Sequence, residues 1–493
     1  MKFLKNGVFK AATSLSLAAT IMFSGLGDTG LALAEGPTAP NKTLTKNIIV
    51  MISDGCGYNQ VDAASLYQYG ATGTQVYEKF PFKYGMSHYS KGETSTADDY
   101  LCAYDPAQAW SAFDYVSPYI SELLGVPVKS KATDSAAAAT AMSTGVKTYD
   151  AAIGVDINGQ PLKHVAQKAE ELGKATGVVT TVEFSHATPA GFVAHNVHRN
   201  NYEQIAQEMI LSSATDVVMG TGNPWFDNDG QLKATPNTYK YVGGETVWNG
   251  LVAGTVGADA DGDGIDDPWK LIQSRKDFQA LMSGETPKRV CGVAEVYATT
   301  QQSRKGDAKA APYVVPQNQN VPTLAEMSKG ALNVLDNDSD GFFLMIEGGA
   351  IDWASHANQS GRVIEEEIDF NRAVEAVADW VEKNSNWGET LLIVTGDHET
   401  GYLTGPGSGF TVDTNGDGIK DAEPVWTPLV NNGTGNLPGM QWNSPKHTNS
   451  LIPLYAKGGA ARLFTGYADE YDPMRGRYID NTEIADLIFK VMR

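Results

Sequence analysis

Residues Asn47–Ser53 read NIIVMIS and run directly into Asp54. An uninterrupted apolar run of this length, without polar alternation, is the pattern of a strand buried on both faces, as in a parallel sheet covered by helices. Three further runs share the design. Gly177–Phe184 (GVVTTVEF) leads into Ser185-His186-Ala187-Thr188, Gly341–Ile346 (GFFLMI) into Glu347, and Thr390–Gly396 (TLLIVTG) into Asp397-His398. In an open α/β sheet, ligands sit beyond the carboxyl ends of the strands. Carboxylates and imidazoles are therefore delivered to one edge from distant parts of the chain. The expected fold class is α/β, with a central, mostly parallel sheet flanked by helices on both faces.

The stretches between these runs supply the helices. Pro161–Leu172 has helical spacing and stops at Gly173, Val363–Asn384 is a longer amphipathic segment, and Thr482–Met492 is a closing helix. No internal repeat and no linker divides the chain, so residues 35–493 read as a single domain. Two stretches, near 85–131 and 220–320, look like insertions at its surface. The first 34 residues carry Lys2, Lys5 and Lys10, an apolar stretch from Ala11 to Leu26, and Ala32-Leu33-Ala34. That is the plan of a secretory signal peptide, which implies a periplasmic or extracellular protein. No later segment is long and apolar enough to span a bilayer.

The formal net charge is −21, and loss of a leader bearing three lysines and one aspartate makes it more negative. Such acidity disfavours nucleic acid and anionic membranes as partners, while metal ions can still make a local site positive enough for an anionic substrate. The three cysteines, Cys56, Cys102 and Cys291, show no CxxC spacing, which argues against a zinc–thiolate site. They leave room for one disulfide with a thiol to spare.

Thr133-Asp134-Ser135 precedes the run Ala136-Ala137-Ala138-Ala139-Thr140-Ala141. Alanine is the strongest helix former, and short polar residues before it suit a helix start. Ser135 then lies at or near the first turn, where free N–H groups and the positive dipole end favour an anion. An ordinary capping serine is the alternative on local sequence alone.

Taken together, Asp54-Gly55, Thr133–Ala141, Glu347-Gly348-Gly349-Ala350-Ile351-Asp352, His356, Asp397-His398 and His447-Thr448 resemble the alkaline phosphatase family, in its order and with compatible spacing over nearly the whole mature chain. The resemblance implies an alkaline-phosphatase-like fold and hydrolysis of small phosphate monoesters, with Ser135 as nucleophile and a phosphoserine intermediate. It implies two Zn²⁺, one held by Asp352, His356 and His447 and the other by Asp54, Asp397 and His398, with one Mg²⁺ held by Asp54, Thr188 and Glu347. Asp352 and His356 are four apart, one helical turn. Arg199 occupies the interval after Thr188 expected of the family's phosphate-binding arginine, a side chain suited to gripping two phosphate oxygens. A homodimer is usual in the family.

Two positions near the phosphate depart from part of the family. His186 stands where some members carry Asp, and Trp353 where some carry Lys and others His. Both are expected to contact the substrate, with weaker Mg²⁺ binding from the first and faster phosphate release from the second. Three acidic, Gly-containing loops at Asp259–Asp267, Asp336–Gly341 and Asp413–Gly418 resemble the front of an EF-hand loop but lack its final Glu. They read either as Ca²⁺ sites or as Asx-rich surface turns. The competing functions are a phosphodiesterase of the same superfamily and a secreted calcium- or phosphate-binding protein without turnover.

Overall fold

The structure is a computed structural model that describes residues 45–92, 103–109, 132–260, 262–409 and 426–492. The leader, Cys102, most of 85–131 and the Asp413–Gly418 loop lie outside the described residues. In chain order the main sheet uses β1 (Asn47–Ser53), β2 (Phe82–Ser87), β3 (Ala175–Glu183), β4 (Val217–Thr221), β5 (Lys270–Ile272), β6 (Val290–Val293), β7 (Phe342–Gly348), β8 (Thr390–Gly396), β9 (Ile452–Lys457), β10 (Glu470–Asp472) and β11 (Gly476–Asp480). Their spatial order is β10-β11-β2-β9-β8-β1-β7-β3-β4-β6-β5. From β8 across to β5 every pairing is parallel; β9 joins β8 and β2 antiparallel. The fold is thus α/β with a mixed, mostly parallel sheet, as expected. The four quoted runs form β8-β1-β7-β3, side by side. Two strands from within 220–320, β5 and β6, extend the sheet edge.

The continuous apolar runs are explained by burial on both faces. Along β1, Ile48, Val50 and Ile52 enter one core and Ile49 and Met51 the other. The first core packs against α2 (Ser135–Thr144), α3 (Val165–Glu170), α4 (Ala187–Val193) and α8 (Thr482–Val491); the second packs against α5 (Leu324–Leu335) and α7 (Ser360–Asn384). Helix α1 (Tyr58–Tyr69) follows β1, and α6 (Ala350–His356) links β7 to α7. Helix α3 is shorter than the Pro161–Leu172 pattern. Val155 pairs with Pro161, and the Leu162 N–H donates to the Gly154 carbonyl, so the backbone is committed to a β-bridge until His164.

The alanine run of α2 has a packing purpose. All ten residues of the helix are buried, and a Cβ at Gly191 of α4 would sit 2.7 Å from Ala139 Cβ. Small side chains on both helices let α2 lie close under α4, which fixes where Ser135 emerges.

Candidate active site

Register sets the first layer of the site. Ser53 pairs with Gly396 on one side and Gly348 on the other, while Thr180 of β3 pairs with Glu347 of β7. Asp54 and Asp397 therefore leave the sheet at the same level, with Glu347 one step inside it. Gly55 has φ +74°, and a Cβ there would sit 2.7 Å from Asp352 Cα, so glycine is what allows α6 to approach the end of β1. The Gly55 N–H donates to Asp397 Oδ1 at 3.0 Å and orients that carboxylate.

Seven of the expected side chains converge there in two overlapping groups. In the first, His398 Nε2 lies 3.1 Å from Asp397 Oδ2, 3.7 Å from Asp54 Oδ1 and 3.2 Å from Ser135 Oγ. In the second, Asp352 Oδ2 lies 3.4 Å from His356 Nε2, Asp352 Oδ1 lies 3.5 Å from His447 Nε2, and the two imidazole Nε2 atoms are 3.0 Å apart. The His398 and His447 rings stack with centroids 3.6 Å apart.

The histidines are aimed by their other nitrogens. His356 Nδ1 lies 2.6 Å from the Pro445 carbonyl and His447 Nδ1 lies 2.8 Å from the Thr133 carbonyl. A carbonyl only accepts, so in both rings Nδ1 carries a hydrogen and Nε2 faces inward, a lone-pair donor whenever the ring is neutral. Thr400 joins the groups by donating to Asp352 Oδ1 at 2.6 Å, with its oxygen 3.3 Å from His398 Nδ1.

The electrostatics call for cations. Asp54, Glu347, Asp397 and His398 are fully buried. Both oxygens of Asp54, Asp397 Oδ2, Glu347 Oε1 and Thr188 Oγ1 have no hydrogen-bond partner in the protein. Burial, then the charges of Asp397, Asp352 and Glu347, push the Asp54 carboxyl well up. Burial pushes Glu347 up to about 7, against the hydrogen bond it accepts from Thr180. Burial acts the same way on Asp352, yet His356, His447 and His398 outweigh it and hold that carboxyl far below the usual range. Carboxylates stripped of water and of partners are strongly destabilising unless a cation satisfies them. The mixed imidazole–carboxylate groups Asp54/Asp397/His398 and Asp352/His398/His447, each with donor atoms within 4.8 Å of one another, suit Zn²⁺. The all-oxygen set Asp54, Thr188 and Glu347 suits Mg²⁺. The residues present fit such ions.

The Ser135 end of the site is built from α2. Asp134, not Ser135, is the N-cap: its Oδ1 accepts from the Ala137 N–H at 2.9 Å, leaving the Ser135 hydroxyl free at the first helical position. Asp134 Oδ2 accepts from Arg199 NH1 at 2.9 Å, and Arg199 NH2 lies 3.5 Å from His186 Nε2. Burial, with Arg199 next, pushes the His186 ring down to about 3 and keeps it neutral. Its ring centroid is 5.6 Å from that of Trp353, the residue after Asp352.

Sequence reading missed the partners that hold these groups. Thr180 donates to Glu347 Oε2, Thr400 ties Asp352 to His398, and Asp134 anchors Arg199. Thr400 alone had a local signal, since it follows His398 by two residues. The acidic loop at Asp259 accepts from its own backbone: Oδ1 from the Gly262 and Asp263 N–H groups at 2.8 and 3.1 Å, Oδ2 from Gly264 at 2.9 Å. Within the same loop Asp263 Oδ1 accepts from the Ile265 N–H two residues on at 2.8 Å, which is the geometry of an Asx turn. Cys56 and Cys291 are buried free thiols.

The chain is similar to known proteins along most of its length. The family model described as "Alkaline phosphatase" matches residues 45–427, a span that ends before His447. Alkaline phosphatase 4 of Bacillus subtilis is 30% identical over 73% of this chain and 77% of its own. Alkaline phosphatase 3 of the same organism is 29% identical over 98% of this chain and 97% of its own. Among solved structures, the cold-active alkaline phosphatase of a psychrophilic Shewanella superposes with a TM-score of 0.59 at 25% identity, covering 91% of this chain and all of that one.

Proposed function

The chain belongs to the alkaline phosphatase family and is therefore a metal-dependent phosphomonoesterase, and on that premise we propose that it works through a phosphoserine at Ser135. The observation that carries this reading is the position of Ser135 Oγ, at the start of α2 and 3.2 Å from His398 Nε2 inside the buried carboxylate–imidazole cluster. Zn²⁺ held by Asp54, Asp397 and His398, a second Zn²⁺ held by Asp352, His356 and His447, and Mg²⁺ held by Asp54, Thr188 and Glu347 would supply Lewis-acid polarisation of the phosphoryl group and of the attacking and departing oxygens.

The chain's own groups do the rest. The N–H groups at the start of α2 and the Arg199 guanidinium bind the non-bridging phosphoryl oxygens, and Asp134 holds Arg199 in the orientation needed for that grip. Ser135 Oγ bonds to phosphorus as the bond from phosphorus to the alcohol oxygen breaks, and the alcohol leaves with a proton. Water then attacks phosphorus, the Oγ–phosphorus bond breaks, the serine hydroxyl is restored and phosphate departs. His186 and Trp353 flank the phosphoryl group and set how tightly it is retained.

We further infer that residues 1–34 are removed on export and that one domain, from residue 35 onward, acts in the periplasm or outside the cell. Among the described residues no helix is long and apolar enough to cross a membrane. The test is hydrolysis of p-nitrophenyl phosphate at pH 8 and pH 10, with and without chelator, alongside metal analysis of the purified protein. Zinc-bearing protein whose activity disappears with chelator is expected. Metal-free protein that still cleaves the ester overturns the reading.

A further inference from the structure

The phosphate site opens onto a run of aromatic rings. Arg199 touches His186, whose ring centroid lies 5.6 Å from that of Trp353 and 6.3 Å from that of Tyr202, the latter ring within 20° of parallel. Tyr202 meets Tyr241 edge to face at 4.8 Å, and Tyr241 meets Tyr297 in the same way at 5.7 Å. Trp353, Tyr202, Tyr241 and Tyr297 are all half-buried, and the wall starts at His186, which touches Arg199.

The wall is held rigidly. The Lys240 ammonium lies 4.6 Å from the Tyr241 ring centre and 5.0 Å from that of Tyr202, pinning the two rings from one side. Ser185 Oγ, one residue before His186, donates to the Tyr241 carbonyl at 3.0 Å. Beneath it Gly222, at φ +99°, lets its backbone pass so close that a Cβ would sit 3.0 Å from Tyr241 Cβ. Rings fixed in this way lose little freedom on contact with a ligand, and flat π-systems meet them in offset or edge-on geometry.

We propose that Trp353, Tyr202 and Tyr241 form a leaving-group subsite for flat aromatic alcohols, so that aryl and heteroaryl phosphate monoesters bind in preference to aliphatic ones. The proposal rests on the phosphatase reading and adds a substrate class to it. Two non-hydrolysable probes separate binding from leaving-group chemistry: phenylphosphonate and methylphosphonate, measured as competitive inhibitors of the metal-replete enzyme against glycerol phosphate. Wild type is expected to hold phenylphosphonate about tenfold more tightly. Tyr202→Leu is expected to lower that preference about fivefold and Tyr202→Phe to keep it, because the ring and not the hydroxyl makes the contact. Inhibition by inorganic phosphate, measured on every variant, reports whether the phosphate grip is intact. Equal affinity of wild type for the two phosphonates, or equal loss in the Phe and Leu variants, overturns the subsite while glycerol phosphate turnover leaves the phosphatase reading standing. Absence of both inhibition and turnover overturns both.

Discussion

The Arg199 guanidinium donates at 2.9 Å to Oδ2 of Asp134, the same carboxylate whose Oδ1 caps the helix that begins at Ser135. One side chain thus couples the helix of the proposed nucleophile to the arginine proposed to grip the phosphate. Asp134→Ser keeps a capping oxygen but loses the ion pair, whereas Asp134→Ala loses both. Both variants are expected to weaken inhibition by inorganic phosphate several-fold, since an unanchored guanidinium must be ordered on binding. Only the alanine variant should also lower the melting temperature, by the equivalent of about 1 kcal/mol. Phosphate inhibition constants and calorimetry on the two proteins check this; matching melting temperatures would remove the capping role.

Ser135→Ala deletes the proposed nucleophile and leaves the buried carboxylates and imidazoles untouched. Turnover should fall at least about a thousandfold, and zinc content by elemental analysis should equal that of wild type. Retention of more than a few per cent of activity would show that another group attacks phosphorus.

Much of this site could be read before any coordinates. The four apolar runs are the four adjacent strands β8, β1, β7 and β3, because strands buried on both faces must be apolar throughout and so announce themselves. Asp54, Glu347 and Asp397 were legible as their chemical ends for the same reason. Ser135 was ambiguous: Ser and Asp are equally good caps, and only the backbone showed Asp134 in that position. The pairing of Asp134 with Arg199, and of Thr180 with Glu347, depends on side chains 65 and 167 residues apart, which no local pattern encodes. Strands β5 and β6, three and four residues long, were hidden inside a polar stretch because runs so short carry too few apolar residues to stand out.

Removal of the metals should destabilise the fold as well as abolish turnover. The buried oxygens of Asp54, Asp397 and Glu347 that lack a hydrogen bond are left uncompensated when no cation is present. A chelator is expected to lower the melting temperature by several degrees, and readdition of Zn²⁺ and Mg²⁺ to restore it. Calorimetry with and without chelator checks this; an unchanged transition would mean that ions contribute nothing to the native state.

His186 is buried two residues before Thr188, and its Nδ1 has no partner. As a neutral imidazole it adds no negative charge beside Asp54 and Glu347. His186→Asp adds one, so Mg²⁺ should bind the zinc-loaded protein more tightly, by about tenfold. Titration calorimetry with Mg²⁺ on both proteins decides the matter, and equal affinities would show that this position does not reach the ion.

Glu366 sits on α7 away from the catalytic groups, buried, with Oε1 unpartnered. Burial, then Asp369 and Glu365, push its carboxyl from 4.5 up to about 8, against the nearby Arg304 and Arg362. Between those two pH values the folded protein holds a proton that the unfolded chain has released. Stability contributed by this group is therefore complete at low pH and is lost as pH rises towards about 8. Glu366→Gln mimics the protonated form at every pH. Metal-replete wild type and the variant should melt at nearly the same temperature at about pH 5, with the variant the more stable above about pH 8. A melting difference that stays constant across the range would show that Glu366 is already ionised in the folded protein and is held by its arginines.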